Sequence, residues 1–183
     1  MRADDKTHTL ITALAEQTLA PMGLSLWGVE LMPAGKRSVL RVYVDVKDQG
    51  PPQVDEEDAT PHGVLLDDLA EISRRLSVAL DAEDLVPGSY VLEVSSPGLE
   101  RTFFTLEQIE PYVGRDMEAV LHDPCLDPEF AGRKRFSGKL VKLESGVLTL
   151  IVDNREVELA WSEIRKAHLV HRFDQAANRP KRR

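Results

Sequence analysis

The apolar and polar residues of the first hundred positions follow two periods, and these predict five elements. A spacing near 3.6 residues predicts helices over residues 5 or 7 to 22 and over residues 67–80. Alternation of apolar and polar side chains predicts strands over residues 24–31, 39–46 and 90–95. The order α-β-β-α-β therefore predicts a small sheet with two helices on one face.

The same periods predict which side chains face the core of this first domain. In the second strand Leu40, Val42 and Val44 point to one side of the sheet, and Asp67 is placed to cap the second helix. Residues 32–37, which include a proline and a glycine, are predicted to form a hairpin loop. The predicted buried stripes of the two helices are Leu10, Ile11, Leu14, Leu19 and Met22, and Leu69, Ile72, Ser73, Leu76 and Leu80.

The second half of the chain predicts a short helix over residues 106–112 and then a series of short strands. Ser145-Gly146 and Asp153-Asn154 suit tight turns, and Gly138 suits a sharp bend within a strand. Five such strands with a corner at residues 161–164 resemble an Sm-like, SH3-like β-barrel, so the predicted fold class is α+β. The predicted strands cover residues 117–121, 136–144, 147–152, 157–161 and 166–170.

A short segment is predicted to be the hinge between these two domains. Pro97 presets φ and Gly98 can adopt a positive φ, as a type II turn requires. The predicted domains are residues 1–98 and 99–174, followed by a basic disordered tail over residues 175–183. The hinge consists of Ser95, Ser96, Pro97, Gly98, Leu99, Glu100 and Arg101.

Charge is distributed unevenly between the halves. The net charge is −8, but residues 1–100 carry 8 Lys and Arg against 18 Asp and Glu, whereas residues 101–183 carry 15 against 13. The acidic half suits a basic protein partner, and the basic clusters of the second half suit phosphates. Surface charge that only maintains solubility explains either half about equally well. Residues 48–63, rich in Pro, Gly and acidic residues, predict a mobile loop of unassigned role.

Eight basic residues are candidates for contacts with RNA. Lys36 and Arg37 lie at the predicted hairpin tip, where a solvated pair that protects a sheet edge is favoured over a phosphate contact. Arg101 follows the hinge, and its ion pair with Glu100 is expected either to fix the angle between the domains or to be an exposed pair of little energetic value. The second domain contributes a predicted basic lip, formed by Arg133, Lys134, Arg135, Lys139 and Lys142.

The chain carries no motif of a catalytic or cofactor-binding site. The hinge lacks the G-x-S-x-G pattern of a serine nucleophile, and neither phosphate-binding nor dinucleotide-binding glycine motifs are present. His168 and His171 supply only two ligands, fewer than a zinc site needs. The acidic run 55–58 lacks the residue spacing of a calcium-binding loop. Cys125 is the single cysteine, which excludes an internal disulfide. We expect no enzymatic activity, no metal and no cofactor.

No apolar run approaches the roughly 20 residues that a membrane span needs. The first residues include acids where a signal peptide would be basic and then apolar. The expected location is therefore the cytoplasm, without a membrane partner.

The run Leu92-Glu93-Val94-Ser95-Ser96-Pro97-Gly98-Leu99-Glu100-Arg101 resembles the signature of the bacterial ribosome maturation factor RimP family. The resemblance extends to residues 28–30, 33–35, 40–45 and 72–75, and it covers most of the chain up to about Val170. It implies a non-catalytic assembly factor of the small ribosomal subunit whose C-terminal domain is the Sm-like barrel. The implied partners are the immature 30S subunit, its decoding-centre protein (the twelfth of the small subunit) and 16S rRNA.

Two other functions are compatible with the sequence. A free-standing Sm-like RNA-binding regulator would act as a ring of identical subunits, whereas the assembly factor is expected to be a monomer without a small-molecule substrate. A metal-dependent hydrolase would depend on the acidic run 55–58, so activity that survives its replacement by serine would exclude that function.

Overall fold

The structure is a computed structural model that describes residues 3–47 and 63–171 of the chain. The chain divides into two compact units, Met1–Pro97 and Gly98–Arg183. Most of the predicted mobile loop, the acidic run within it and the predicted basic tail lie outside the described residues.

The first unit contains two helices and three strands. Helix α1 (Ala3–Leu19) continues into a 3₁₀ turn at Ala20–Met22, and strands β1 (Leu24–Ala34) and β2 (Arg37–Val46) follow. Helix α2 (Leu66–Glu83) and strand β3 (Tyr90–Ser95) complete the unit. Strand β2 lies in the centre of the sheet, antiparallel to β1 and parallel to β3. The parallel pair needs a crossover connection, and α2 lies within it.

One core lies between the helices and the sheet. Leu40, Val42 and Val44 of β2 are fully buried, as the alternating pattern predicts, while their neighbours Arg41 and Tyr43 are half-buried on the opposite side. The helical residues of this core are Ile11, Ala15 and Leu19 from α1 and Ile72, Leu76 and Leu80 from α2.

Two details of the predicted helices are wrong. Leu10 is 44% exposed, because the residues of α1 that face the core are spaced four apart and Ala15 lies among them. Asp67 does not cap α2, since the residue preceding the helix is Leu65 and no side chain caps its N-terminus. Asp67 and Asp68 lie instead in the first turn, where their negative charges interact favourably with the positive end of the helix dipole.

The hairpin between β1 and β2 is tighter than predicted. The expected loop over residues 32–37 is wrong, because Met32, Pro33 and Ala34 pair with β2 and only Gly35 and Lys36 form the turn. Gly35 has a φ of 66°, which a two-residue hairpin turn favours. Pro33 is tolerated because β1 lies at the edge of the sheet.

The second unit contains one six-stranded sheet beside a short helix. Strand β4 (Thr102–Phe103) precedes helix α3 (Leu106–Ile109), which continues as a 3₁₀ turn at Glu110–Tyr112. The sequence does not predict β4, since two residues are too short for a periodic pattern. The remaining strands are β5 (Asp116–Leu121), β6 (Arg135–Glu144), β7 (Val147–Val152), β8 (Arg155–Ala160) and β9 (Ile164–Leu169).

The strands of this sheet pair in the order β4-β9-β5-β6-β7-β8. The described pairing is open, with β4 at one end and β8 at the other, so it does not show the closed barrel that the sequence predicts. The predicted corner is present as a 3₁₀ turn at Trp161–Glu163, and it redirects the chain so that β9 pairs with β5. Within residues 3–47 and 63–171, no helix has both the length and the apolar composition that crossing a bilayer requires.

Both predicted tight turns of the second unit are confirmed. Ser145 and Gly146 connect β6 to β7, and Asp153 and Asn154 connect β7 to β8, all four with positive φ. Gly138 lies within β6, where an added Cβ would come 2.1 Å from the carbonyl oxygen of Ile151. Only a glycine therefore allows β7 to approach β6 this closely.

We expect Gly138→Ala to lower the free energy of unfolding of the second unit by about 3 kcal/mol, because the added methyl group overlaps the backbone of β7. Denaturant unfolding followed by circular dichroism measures the change. Ser137→Ala on the adjacent, half-buried position is the control and should change stability by less than about 0.5 kcal/mol. Equal midpoints for both variants would contradict this account of Gly138.

Candidate functional site

The hairpin tip of the first unit presents two basic side chains. Lys36 and Arg37 are both exposed and lie in and directly after the turn between β1 and β2. Neither forms an ion pair with another residue of the described part of the chain. Their charges therefore remain available for an anionic partner, and the favoured prediction of a solvated pair stays untested.

The basic cluster before β6 is largely engaged within the second unit. Arg133 donates to Asp153 at 2.9 Å and to the carbonyl of Arg135 at 2.7 Å, and its guanidinium lies 5.2 Å from the centre of the Phe136 ring. Lys134 donates to the carbonyl oxygen of His122 at 2.9 Å. Arg135 pairs with Glu118 at 2.5 Å. These contacts reduce the positive potential that the sequence predicts for this lip.

The two lysines of β6 differ in their surroundings. Lys142 pairs with Glu144 at 2.9 Å, and this hydrogen bond, with the charge of Glu144, raises the pKa of the lysine. The charges of Glu158 and Glu156 act in the same direction. Lys139 is exposed, and no ion pair of this side chain occurs within the described ranges. Lys139 is therefore the less neutralised of the two candidates.

Arg101 is a buried side chain, only 7% exposed. Its guanidinium donates to the carbonyl oxygen of Gly98 at 3.2 Å and to the hydroxyl of Tyr112 at 3.0 Å, and the Tyr112 ring in turn makes a tilted contact with the Phe103 ring. Glu100 is exposed. This placement suits a residue that holds the beginning of the second unit in shape, so we leave Arg101 out of the candidate contact surface.

A polar network crosses the side of the first sheet opposite to its core. Arg41 pairs with Glu93 at 2.6 Å and lies 3.7 Å from Glu30, and the Tyr43 hydroxyl donates to Glu30 at 3.0 Å. Hydrogen bonds with Tyr43 and Glu93 raise the pKa of Arg41, and burial raises the pKa of Tyr43. Two carboxylates share one guanidinium, so this face is acidic.

The sequence does not predict this network, and the reason is physical. Arg41 and Glu93 lie on strands that the sequence separates by a helix, and only the parallel register places them opposite each other. The alternation within each strand does indicate that both side chains avoid the core.

No group of three or more His, Cys, Asp or Glu side chains suited to a metal ion occurs in the part of the chain that the structure describes. His168 lies 3.8 Å from Glu118, which already binds Arg135. Cys125 is a free thiol of intermediate exposure.

Comparison with known proteins gives the family of the chain. The sequence model of the RimP N-terminal domain matches residues 14–100. A protein of Nitratidesulfovibrio vulgaris strain Miyazaki F, named ribosome maturation factor RimP, is 42% identical over 185 residues, covering 89% of this chain and 80% of that protein. A protein of the same name from strain DP4 is 40% identical over 180 residues, covering 94% of this chain and 95% of its own length.

The chain belongs to the RimP family. The resemblance inferred from the run at residues 92–101 is thereby confirmed, and the RimP domain match ends within that run. Because the RimP relatives cover about nine tenths of the chain, the likeness includes both compact units.

We expect Arg41→Met to lower the free energy of unfolding by about 1.5 kcal/mol, because it leaves two neighbouring carboxylates on the sheet without their shared cation. Arg74→Met is a matched control, since the Arg74 side chain also pairs with a glutamate, Glu71, but is 70% exposed. The control should change stability by less than about 0.5 kcal/mol. Urea unfolding measures the free energy of unfolding of both variants. Equal losses of stability would mean that the network across the sheet contributes no more than an exposed ion pair.

We expect Arg101→Met to destabilise the second unit by about 2 kcal/mol, since Gly98 and Tyr112 would lose a buried donor. The exposed Arg115 provides the control, Arg115→Met, with the same change of charge. Thermal unfolding monitored by circular dichroism measures both. An unchanged melting temperature for Arg101→Met would show that the buried contacts contribute little.

Proposed function

We propose that this protein is a non-enzymatic maturation factor that binds the immature 30S ribosomal subunit and leaves it when assembly is complete. The observation that carries the proposal is the membership of the RimP family: two relatives named ribosome maturation factor RimP match this chain over 80% and 95% of their own lengths. Ribosomes of bacteria are assembled in the cytoplasm, so we place the protein there.

The acidic side of the first unit suits a basic ribosomal protein. Glu30 and Glu93 share the cation of Arg41 on the side of the sheet opposite its core, and the first hundred residues have a large excess of acids. Ribosomal proteins are strongly basic because they bind RNA. We propose the decoding-centre protein, the twelfth of the small subunit, as the partner of this unit.

The hairpin tip suits the phosphates of the adjacent 16S rRNA. Lys36 and Arg37 are exposed beside a tight turn between two paired strands, so their backbone is held firmly. Two cations on such a tip would position the protein without reading the RNA sequence. Lys139 on the second unit is a further candidate for a phosphate contact.

We propose that the second unit is related to the Sm-like fold and works as a monomer. Strands β5 to β9 follow one another with the 3₁₀ corner before the last, as in the predicted barrel. A ring of the kind formed by free Sm-like regulators joins subunits through sheet edges. Here β4 covers the edge of β9 at Ala167 and His168, which counts against such a ring and favours the assembly factor.

Reversible binding follows from the division into two units. Two surfaces of modest affinity, linked by a short segment, bind through effective concentration when both sites are present and release when one is lost. We therefore propose that no cofactor, small-molecule substrate or catalytic step is needed for release.

We expect the protein to co-sediment preferentially with immature small subunits in moderate salt. The double variant Lys36→Ala/Arg37→Ala should bind more weakly, and the slope of log affinity against log salt should fall by about two, because each phosphate contact contributes about one. Quantitative sedimentation at several salt concentrations measures both quantities.

The control for this experiment is Arg74→Ala/Arg75→Ala, which removes two exposed cations of α2 from the same unit. Binding that is equal for immature and mature subunits, or absent from both, would overturn the maturation role and favour the free RNA-binding regulator. Unchanged binding by the hairpin variant alone would overturn only the phosphate contact.

A further inference from the structure

One edge of the sheet in the second unit is open. Strand β8 pairs with β7 over its whole length from Arg155 to Ala160, and no other strand among the described residues pairs with its opposite side. At the other end of the sheet, β4 already occupies part of the corresponding edge.

The pairing pattern shows which backbone groups of β8 face this open edge. The N–H of Trp161 donates to the carbonyl of Gly146 at 2.8 Å, directly beyond the pair of Ala160 with Val147. Hydrogen-bonded and non-hydrogen-bonded pairs alternate along an antiparallel ladder. The N–H and C=O groups of Glu156, Glu158 and Ala160 therefore point away from β7.

The side chains of the same residues make this edge acidic. Glu156 and Glu158 are both exposed and alternate with the buried Val157 and Leu159, so they project from the outer face of the sheet. Of the nearby cations, Lys142 binds Glu144 and Arg155 lies 3.5 Å from Glu129. Lys139, in register with Glu156 through Ile151, has no ion pair among the described residues. These three cations are outnumbered by the carboxylates of Glu129, Glu144, Glu156 and Glu158. The local charge is therefore negative.

This charge excludes two occupants of the edge. A second copy of the chain, paired antiparallel about Val157, would place Glu156 opposite Glu158 of that copy, and like charges directly opposite each other are destabilising. An RNA strand would bring phosphates against the same carboxylates. An extended segment with Lys or Arg at alternate positions would instead pair each cation with a glutamate.

We propose that β8 is a docking edge for an extended segment of a basic protein, which adds to the sheet as a further strand. Backbone hydrogen bonds to Glu156, Glu158 and Ala160 supply the attachment, and alternate basic side chains opposite the two glutamates supply the selectivity. The proposal goes beyond the proposed function, because it concerns a peptide site on the second unit and requires no ribosome.

The test uses the full chain labelled with ¹⁵N and an eight-residue peptide in which lysine and threonine alternate. Amide shifts should change along residues 155–160, and hydrogen exchange at the amides of Glu156 and Glu158 should slow only when the peptide is present. Glu156→Gln/Glu158→Gln should weaken binding about fivefold through loss of two cross-strand charge pairs. Glu158→Pro, which also removes an outward N–H, should weaken it about tenfold.

Matched controls separate this site from general charge attraction. Glu83→Gln/Glu110→Gln removes the same charge from exposed positions outside β8 and should leave the affinity unchanged. A peptide in which glutamate and threonine alternate should not bind. If Glu158→Pro fails to fold, the exchange data and the double glutamine variant still decide the outcome.

Several results would overturn the proposal. One is protection of the Glu156 and Glu158 amides in the protein without peptide, which would mean that another part of the chain covers the edge. Equal affinity for the acidic and the basic peptide would also overturn it, and so would amide shift changes confined to strands other than β8. A further such result would be that oligouridylate produces the same shift changes as the basic peptide. Because ribosomes are absent, a negative result leaves the sedimentation experiment unaffected.

Discussion

The parallel pairing of β2 with β3 is the interaction on which the first unit depends. A tight turn can join only antiparallel strands, so the parallel strands β2 and β3 need a longer crossover connection. Helix α2 lies in that connection. The central position of β2 then allows Leu40, Val42 and Val44 to share one core with both helices. The polar network is a consequence of the same register, since alternation places Arg41 on the other side, opposite Glu93.

The architecture of the second unit depends on which strands lie at the two ends of its sheet. The 3₁₀ turn at Trp161–Glu163 directs β9 to β5 instead of β8, and β4 then covers part of β9. The sheet therefore has two unequal edges. Charged side chains on an exposed edge protect it from pairing with a second copy. On β8 the same glutamates that disfavour self-association would select a basic partner, so protection and specificity have one physical cause.

The basic residues show why charge composition alone is a weak guide to a binding surface. The cluster at residues 133–135 is the densest basic run among the described residues, yet its side chains bind Asp153, Glu118 and the carbonyl of His122. The hairpin pair Lys36 and Arg37 belongs to the more acidic half, yet it has no partner among the residues described. A cation is available to a ligand only if the fold leaves it without an acid nearby, which depends on pairing between strands.

The sequence by itself determined the local features of this protein. Periodicity located both helices of the first unit and all strands longer than two residues, because burial repeats every 3.6 residues in a helix and every two in a strand. Glycine and asparagine identified the tight turns, because only certain residues accept positive φ. The motif at residues 92–101 identified the family, which the comparisons confirm. Tertiary structure alone decided the β2–β3 register, the burial of Arg101, the pairing of Thr102 and Phe103 with β9, and the open edge of β8. Each of these depends on contacts between segments distant along the chain, and no pattern within a single segment specifies which distant residue will lie opposite it.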